Sequence, residues 1–436
     1  ALADFQSVEA LVAQVSLREA YVVGAGLAGL SAAVELARAG VKVKLADSAP
    51  RAGGRCRSYF DPQLGQTIDN GNHFTFSGNQ AVHSFLETIG TLGLLHGPQQ
   101  ADFAFHDLAD DSRWTLRVND GRVPWWAISR HRRAPGTSLI DHLPLARLAF
   151  ARHGTVAIGD LVRTDDVFWH RVVEPMMLAV LNCPAAEGSA RLAARFLRES
   201  FLRGGRACRT MVAHPTLDAA FIDPALAWLQ LRGIVPRFSE RLRAIGFDGD
   251  RVISLDFGDH AEKLGDAVVI LAVPPWVAED MVPELTVPNR FCAILNAHFA
   301  HAPPSGAPMI TALLGATAQW VVCHTNRISV TVSGADDIID KDREALARQI
   351  WSEVCATLGI SAPFPAWQIV KEKRATFAAT PEQDALRPAS QTRWTNLFLA
   401  GDWVQTGLPA TIEGALRSGD SAARLALGQP LRYGAG

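Results

Sequence analysis

The chain has 436 residues, 48% of them hydrophobic and 20% charged, with a formal net charge of −2. That balance is globular rather than disordered, leaves room for two or three cores and provides no concentrated basic face for nucleic acid. No apolar run reaches the ~18 residues that span a bilayer, and six scattered cysteines without CxxC pairs or metal-ligand spacing suit a reducing compartment and predict no metal site.

Residues 1–19 lack a positively charged start and an apolar core, so they read as a short amphipathic extension rather than a signal peptide. Tyr21-Val22-Val23 then reads as a buried strand running into Gly24-Ala25-Gly26-Leu27-Ala28-Gly29, whose spacing is that of a dinucleotide cradle. One glycine makes a tight turn, one lets the backbone approach a pyrophosphate and one lets helix pack on strand. A helix to Ala39, a stop at Gly40 and an alternating strand from Val41 to Ala46 follow. Asp47 closes that strand where a carboxylate accepts from ribose hydroxyls. Ser48 to Arg55 predicts a second phosphate contact through two glycines and two arginines. Thr67 to Phe74 is dense in short polar side chains, and Asn72 and His73 are candidates to line a site.

Ala81 to Leu95 predicts a helix. Phe103 to Val118 predicts a small sheet, turning at Asn119-Asp120-Gly121 and returning through Trp126. Trp125-Trp126 beside the Arg130–Arg133 cluster reads either as a membrane contact or as a buried pair next to a polar loop. Ser138 to Leu202 is helical in period, a cap over a sheet or the wall of a pocket. Asp223-Pro224 predicts a helix start, with Asp223 as N-cap and Gly233 as the stop. Ile234–Phe238, Arg251–Leu255 and Ala267–Val273 are strand-like, the last apolar enough for a central parallel strand. Arg290 to Val332 holds short β runs, Asp340 to Leu358 an amphipathic helix and Trp367 to Lys373 one more strand. Finally Asn396 to Trp403 delivers Asp402 to a strand's C-terminal edge, and a helix from Pro409 points its N-terminus at something electron-rich.

GAGLAG, Asp47, AGGR, the strand ending Ala272-Val273-Pro274-Pro275 and LFLAGDW…PATIEGALRSG together resemble the flavin-dependent amine oxidase and phytoene desaturase superfamily. The resemblance implies an α/β fold: a Rossmann-type FAD-binding domain built from discontinuous segments (20–80, 212–285 and 391–428) plus an inserted α+β substrate domain (81–211 and 286–390), with a 429–436 tail. It implies that Gly24, Ala25, Gly26, Ala28, Gly29 and Asp47 hold adenosine and pyrophosphate, that Gly54 and Arg55 flank the pyrophosphate, and that Val252 meets the adenine through its backbone. Gly71, Asn72, Gly401 and Asp402 would touch the rest of FAD, with Thr411 and Ile412 at its pyrimidine ring. Asp47 stands where Glu is more usual, and its shorter side chain still reaches a ribose.

More narrowly, ARAGGRCRSY, IDNGNHFTFSGN and AFIDPALAWL resemble the hydroxysqualene dehydroxylases, flavoproteins of bacterial hopanoid pathways. That resemblance implies reductive loss of hydroxyl from hydroxysqualene, a hydrophobic isoprenoid, to give squalene. The leaving group needs a proton donor, for which His73, Glu174 and Asp69 are the candidates. With no second GxGxxG unit, an external electron donor is expected, with association with hydroxysqualene synthase and a peripheral, cytoplasmic-face membrane position. Carotenoid-type desaturase and amine oxidase are the nearest rival readings, a redox-neutral flavin isomerase and a non-catalytic lipid binder more distant ones.

Overall fold

The computed structural model describes residues 17–152 and 154–433, so most of the expected N-terminal extension lies outside the described residues. The chain opens with β1 (Glu19–Val23), α1 (Leu27–Arg38) and β2 (Lys42–Ala46). A hairpin, β3 (Ser58–Asp61) and β4 (Gln66–Asp69), leads through the short β5 (Thr75–Phe76) to α2 (Gln80–Ile89) and β6 (Leu95–His96). The first insertion holds the hairpin β7 (Ala101–Asp107) and β8 (Ser112–Val118), then α3 (Leu143–Ala149), α4 (Glu174–Leu181) and α5 (Ala190–Glu199). After β9 (Thr210–Ala213) and α6 (Asp223–Gln230) come β10 (Ala244–Asp248), β11 (Arg251–Asp256), β12 (Ala261–Lys263), β13 (Val268–Leu271) and α7 (Pro275–Met281). The second insertion runs through β14 (Phe291–Phe299), β15 (Ile310–Leu314), β16 (Trp320–Cys323), β17 (Ile328–Ser333), α8 (Arg343–Leu358) and β18 (Trp367–Phe377), and β19 (Leu397–Leu399) and α9 (Ile412–Ala426) complete the chain.

Segments far apart in sequence make the first layer, a parallel sheet of order β19-β13-β1-β2. Its middle strands are apolar runs buried on both faces, as parallel strands covered on both sides must be. A second sheet of seven strands, order β18-β14-β17-β16-β15-β7-β8, joins both insertions, with β7 parallel to β15. α8 covers its far face, where Trp351, Ile350 and Val354 pack on Leu295, Val330 and Phe299. Helix α2 packs with α9 and α6 in the core of the parallel sheet, through Val82, Phe85 and Leu86. The cofactor-side core therefore extends past residue 80.

Three local expectations differ from what is seen. The turn of the β7–β8 hairpin lies at residues 108–111, and 119–126 is not a strand. The Asn119 side chain occupies the backbone there, donating to the Gly121 and Val123 carbonyls and accepting from Trp126 N–H, which removes groups a ladder needs. Asp223 is not an N-cap, because a π turn over Asp218–Ile222 precedes it and Thr216 Oγ1 accepts from Ala219 N–H at 3.2 Å. The wide turn accommodates Pro224, which has no N–H to give. Residues 234–238 contribute one parallel bridge, Ala46 to Arg237, instead of a strand.

Candidate active site

Between the two sheets lies a cavity of about 1080 Å³ that runs from the glycine turn after β1 to the inner face of the helical insertion. At the turn each glycine has its own constraint. Gly24 has φ +108°, and a Cβ there would stand 2.3 Å from the Ala272 carbonyl oxygen; at Gly29 it would stand 1.8 Å from that of Gly24. At Gly26 a Cβ would meet no protein atom within 4 Å, so this backbone faces the cavity itself. Asp47 ties the turn together, its Oδ2 accepting from Ala25 N–H at 2.6 Å and its Oδ1 from Ala49 N–H at 2.7 Å. Gly53 N–H donates to the Ala25 carbonyl at 2.9 Å, which holds the Gly53-Gly54 loop against Gly26.

Further along, Arg55 is ion-paired with Asp402 at 2.6 Å, and both line the cavity with Gly54. Gly71 has room for no side chain, since a Cβ would lie 2.9 Å from Asn296 Nδ2. Asn72 donates from its backbone to Asn296 Oδ1 at 3.3 Å and from Nδ2 to Thr331 Oγ1 at 3.0 Å, while its own Oδ1 is buried with no partner. Thr411 caps α9, accepting from Gly414 N–H at 3.0 Å, and with Ile412 it presents the start of that 15-residue helix to the cavity. A helix N-terminus favours negative charge. Gly401, at φ +149°, donates its N–H to Ser418 Oγ at 2.8 Å and so joins the β19 edge to α9.

His73 lines the cavity, and burial first, then the Arg55 charge, lowers its pKa to about 4. It is a neutral imidazole at neutral pH, able to donate one N–H but carrying no ready proton. The other two acid candidates do not reach the cavity. Asp69 is buried under the β3–β4 hairpin, its Oδ1 accepting from Ser58 Oγ at 2.7 Å and Leu217 N–H at 2.9 Å, so it is a structural acceptor. Glu174 is on the exposed face of α4, 3.0 Å from His170. Val252 does not reach the cavity either: its N–H and carbonyl are both engaged by the Asn396 side chain, at 2.8 and 2.9 Å. Glu240, Arg241, Leu242 and Arg243 line the cofactor end instead.

Besides Asp47 and Asp402, further carboxylates face the cavity that were not legible as site residues. Glu413 accepts from the first N–H groups of α2, at Ala81 and Val82, and from Arg417 Nε at 2.7 Å. Glu199 is also bonded to Arg417, at 3.0 Å; burial alone would raise its pKa, but Arg417 and Arg195 hold it below the ordinary value. Glu199 is therefore held as an anion, and the oxygens of Glu413 are taken up by its partners. Glu372 lines the cavity from β18 with Arg374 and Thr376, and its carboxylate has no hydrogen-bond or ion-pair partner among the described residues. A bulge shifts the β14–β18 register between Glu372 and Thr376, so strand alternation in the sequence does not show which of these residues turn toward the cavity. Beyond these groups the cavity becomes apolar, walled by Phe103, Phe105 and Leu116 of the sheet and Met176, Val180 and Phe196 of the helices.

A glycine cradle open at Gly26, an orphaned buried acceptor at Asn72 and a helix N-terminus along one continuous cavity fit an extended dinucleotide whose far end needs hydrogen bonds and tolerates negative charge. The fold and site define a flavin-dependent oxidoreductase. Residues 27–427 match the flavin containing amine oxidoreductase family, and the chain belongs to that family. It is 49% identical to a hydroxysqualene dehydroxylase of Rhodopseudomonas palustris over 93% of this chain and 98% of that protein. It is 45% identical to the one of Zymomonas mobilis, again over 93% and 98%. Among solved structures, cyclohexylamine oxidase from Brevibacterium oxydans superposes with a TM-score of 0.70 at 14% identity, over 95% of this chain and 99% of that one.

Proposed function

We propose that this chain removes the hydroxyl of hydroxysqualene reductively, giving squalene, with FAD as its flavin. The observation that carries the reading is the 45–49% identity to hydroxysqualene dehydroxylases along almost the whole of both chains. An apolar lobe continuous with a dinucleotide cradle supports it. FAD is favoured over a mononucleotide because the Gly24–Gly29 turn with Asp47 and the start of α9 at Thr411 line one continuous cavity.

FAD held by the Gly24–Gly29 turn, Asp47 and the start of α9 would supply the hydride that replaces the hydroxyl. The chain's own residues do the rest. The aromatic and aliphatic lobe excludes water and lines up an isoprenoid chain that has a single polar group. The hydroxyl leaves only with a proton, and Glu372 is the carboxyl we assign to deliver it: Glu199 and Glu413 are fixed by Arg417, Asp402 by Arg55, Asp47 by the Ala25 and Ala49 N–H groups and Glu240 by Arg237, while Asp280 is exposed. His73 Nδ1 or Nε2, neutral, donates a hydrogen bond without changing charge. The reductant is external, and the soluble parts of the reaction are served from the cytoplasm at a membrane face where hydroxysqualene synthase can hand over its product. No helix among the described residues is long and apolar enough to cross a membrane.

Anaerobic incubation of the flavin-reduced protein with hydroxysqualene tests the reading: flavin reoxidation with stoichiometric squalene is expected. Unchanged flavin with no squalene, or turnover confined to C40 carotenoids, overturns it.

A further inference from the structure

The outer surface of the helical insertion is unlike the rest of the molecule. Of fourteen large hydrophobic side chains exposed among the described residues, seven fall between Val123 and Phe150: Val123, Trp125, Ile128, Leu139, Ile140, Leu143 and Phe150. Trp125 is 64% exposed and Ile140 72%, while Trp126 is buried and edge-on to His142, which in turn packs on Phe168. One buried aromatic stack thus holds the short turns that present the exposed residues. Residues 122–152 also contain six arginines and one acid, Asp141, and none of the six arginines is ion-paired among the described residues.

Exposed Trp and Leu interleaved with unpaired Arg match a lipid interface, where aromatic rings sit at headgroup depth and arginine finds phosphate. A second copy of the chain is a poor match, because an isologous contact would set arginines against arginines. The underside of the same unit points to the same partner. α3 packs on α5, with Arg198 Nη1 donating to the Ala149 carbonyl at 3.0 Å, and Phe196 and Glu199 of α5 line the cavity. The exposed face and the apolar lobe are separated by little more than one helix.

We propose that the surface formed by residues 122–152 docks on a bilayer containing anionic phospholipid, with the side chains around Trp125, Ile140 and Leu143 inserted and Arg130 and Arg132 at the headgroups. The docking rests on the membrane-face reading above, gives it a surface and a lipid partner, and does not depend on which isoprenoid is turned over. Sedimentation of the flavin-loaded protein with phosphatidylcholine vesicles, with and without phosphatidylglycerol, tests it. Wild type is expected to bind the anionic vesicles and to be released by salt. Ile140→Asp with Leu143→Asp should weaken binding at least tenfold, and Arg130→Glu with Arg132→Glu should abolish the preference for phosphatidylglycerol. The same change at an exposed site elsewhere, Leu231→Asp with Val235→Asp, should leave binding intact. Unchanged flavin absorbance and melting temperature show that each variant is folded. Wild type that ignores both vesicle types, patch and control variants that bind alike, or a wild-type dimer that the patch variant dissociates without any vesicle binding would each overturn the proposal.

Discussion

At the scale of single residues, the site depends on atoms that are absent as much as on those present. Gly29→Ala would place a methyl 1.8 Å from the Gly24 carbonyl oxygen, and backbone cannot retreat as a flexible side chain can. The expected product is a folded but colourless protein, read by visible absorbance after reconstitution with FAD. His73 gives a pH prediction. Its folded pKa of about 4 lies below the ordinary value, so between pH 6.5 and 4 the unfolded chain binds a proton that the folded chain refuses. Its effect on stability is level above pH 6.5 and becomes destabilising as pH falls through that window. His73→Gln should therefore flatten the fall in melting temperature between pH 6.5 and 4.5, and it should not remove any activity limb near pH 6.5. A wild-type limb centred there that vanishes in the variant would contradict the neutral assignment. Glu372→Gln is expected to cut the single-turnover rate of dehydroxylation at least a hundredfold, leaving the flavin spectrum unchanged.

At the scale of elements, the loop between β19 and α9 is organised from outside itself. Arg387, fully buried, donates to the carbonyls of Leu408 at 2.8 Å and Val404 at 2.6 Å and to Asp384 at 3.1 Å, while Asp384 also holds Arg191. Arg387→Met is expected to cost about 3–5 kcal/mol, as truncating one member of a buried ion pair does, and to weaken flavin binding with it; denaturant unfolding and flavin titration measure the two. Helix α9 lies close on α1, where a Cβ at Gly419 would stand 2.1 Å from the Ala28 carbonyl oxygen and Ser31 Oγ donates to that of Leu416 at 2.8 Å. The sequence made the strand–glycine–helix unit and the final strand–acid–helix unit readable because each is a local pattern with its own spacing. Arg387 gave no such signal. Its partners are set by tertiary packing, and in sequence it is one arginine in Leu386-Arg387-Pro388. Asp69 and Val252 failed for the same reason, since residue type indicated an acid and an apolar strand but not that Ser58, Leu217 and Asn396 would occupy their polar atoms.

At the scale of the whole molecule, two insertions that are unrelated in sequence position close one sheet, and that sheet with the helical unit shapes the apolar lobe. That α2 packs with the core of the parallel sheet was not legible, because an amphipathic helix does not state which core it faces. Filling the lobe should separate its role from that of the cradle. Val180→Trp is expected to raise KM for the long-chain substrate at least tenfold without altering flavin content, measured by steady-state kinetics beside the absorbance ratio. The parallel sheet also imposes an order in time. β1 pairs Ala20 with Val268 on one side, and β13 in turn waits for β19, which pairs Val269 with Leu397. A chain emerging from the ribosome therefore carries an incomplete sheet through most of its synthesis, and such distant pairings are slow to close. The start of α9, which shares the cavity with the glycine turn, follows β19 in the chain and so forms long after that turn. A cofactor held at both ends of the cavity therefore binds only once these distant segments have met, and its binding draws the folding equilibrium toward the closed sheet by mass action.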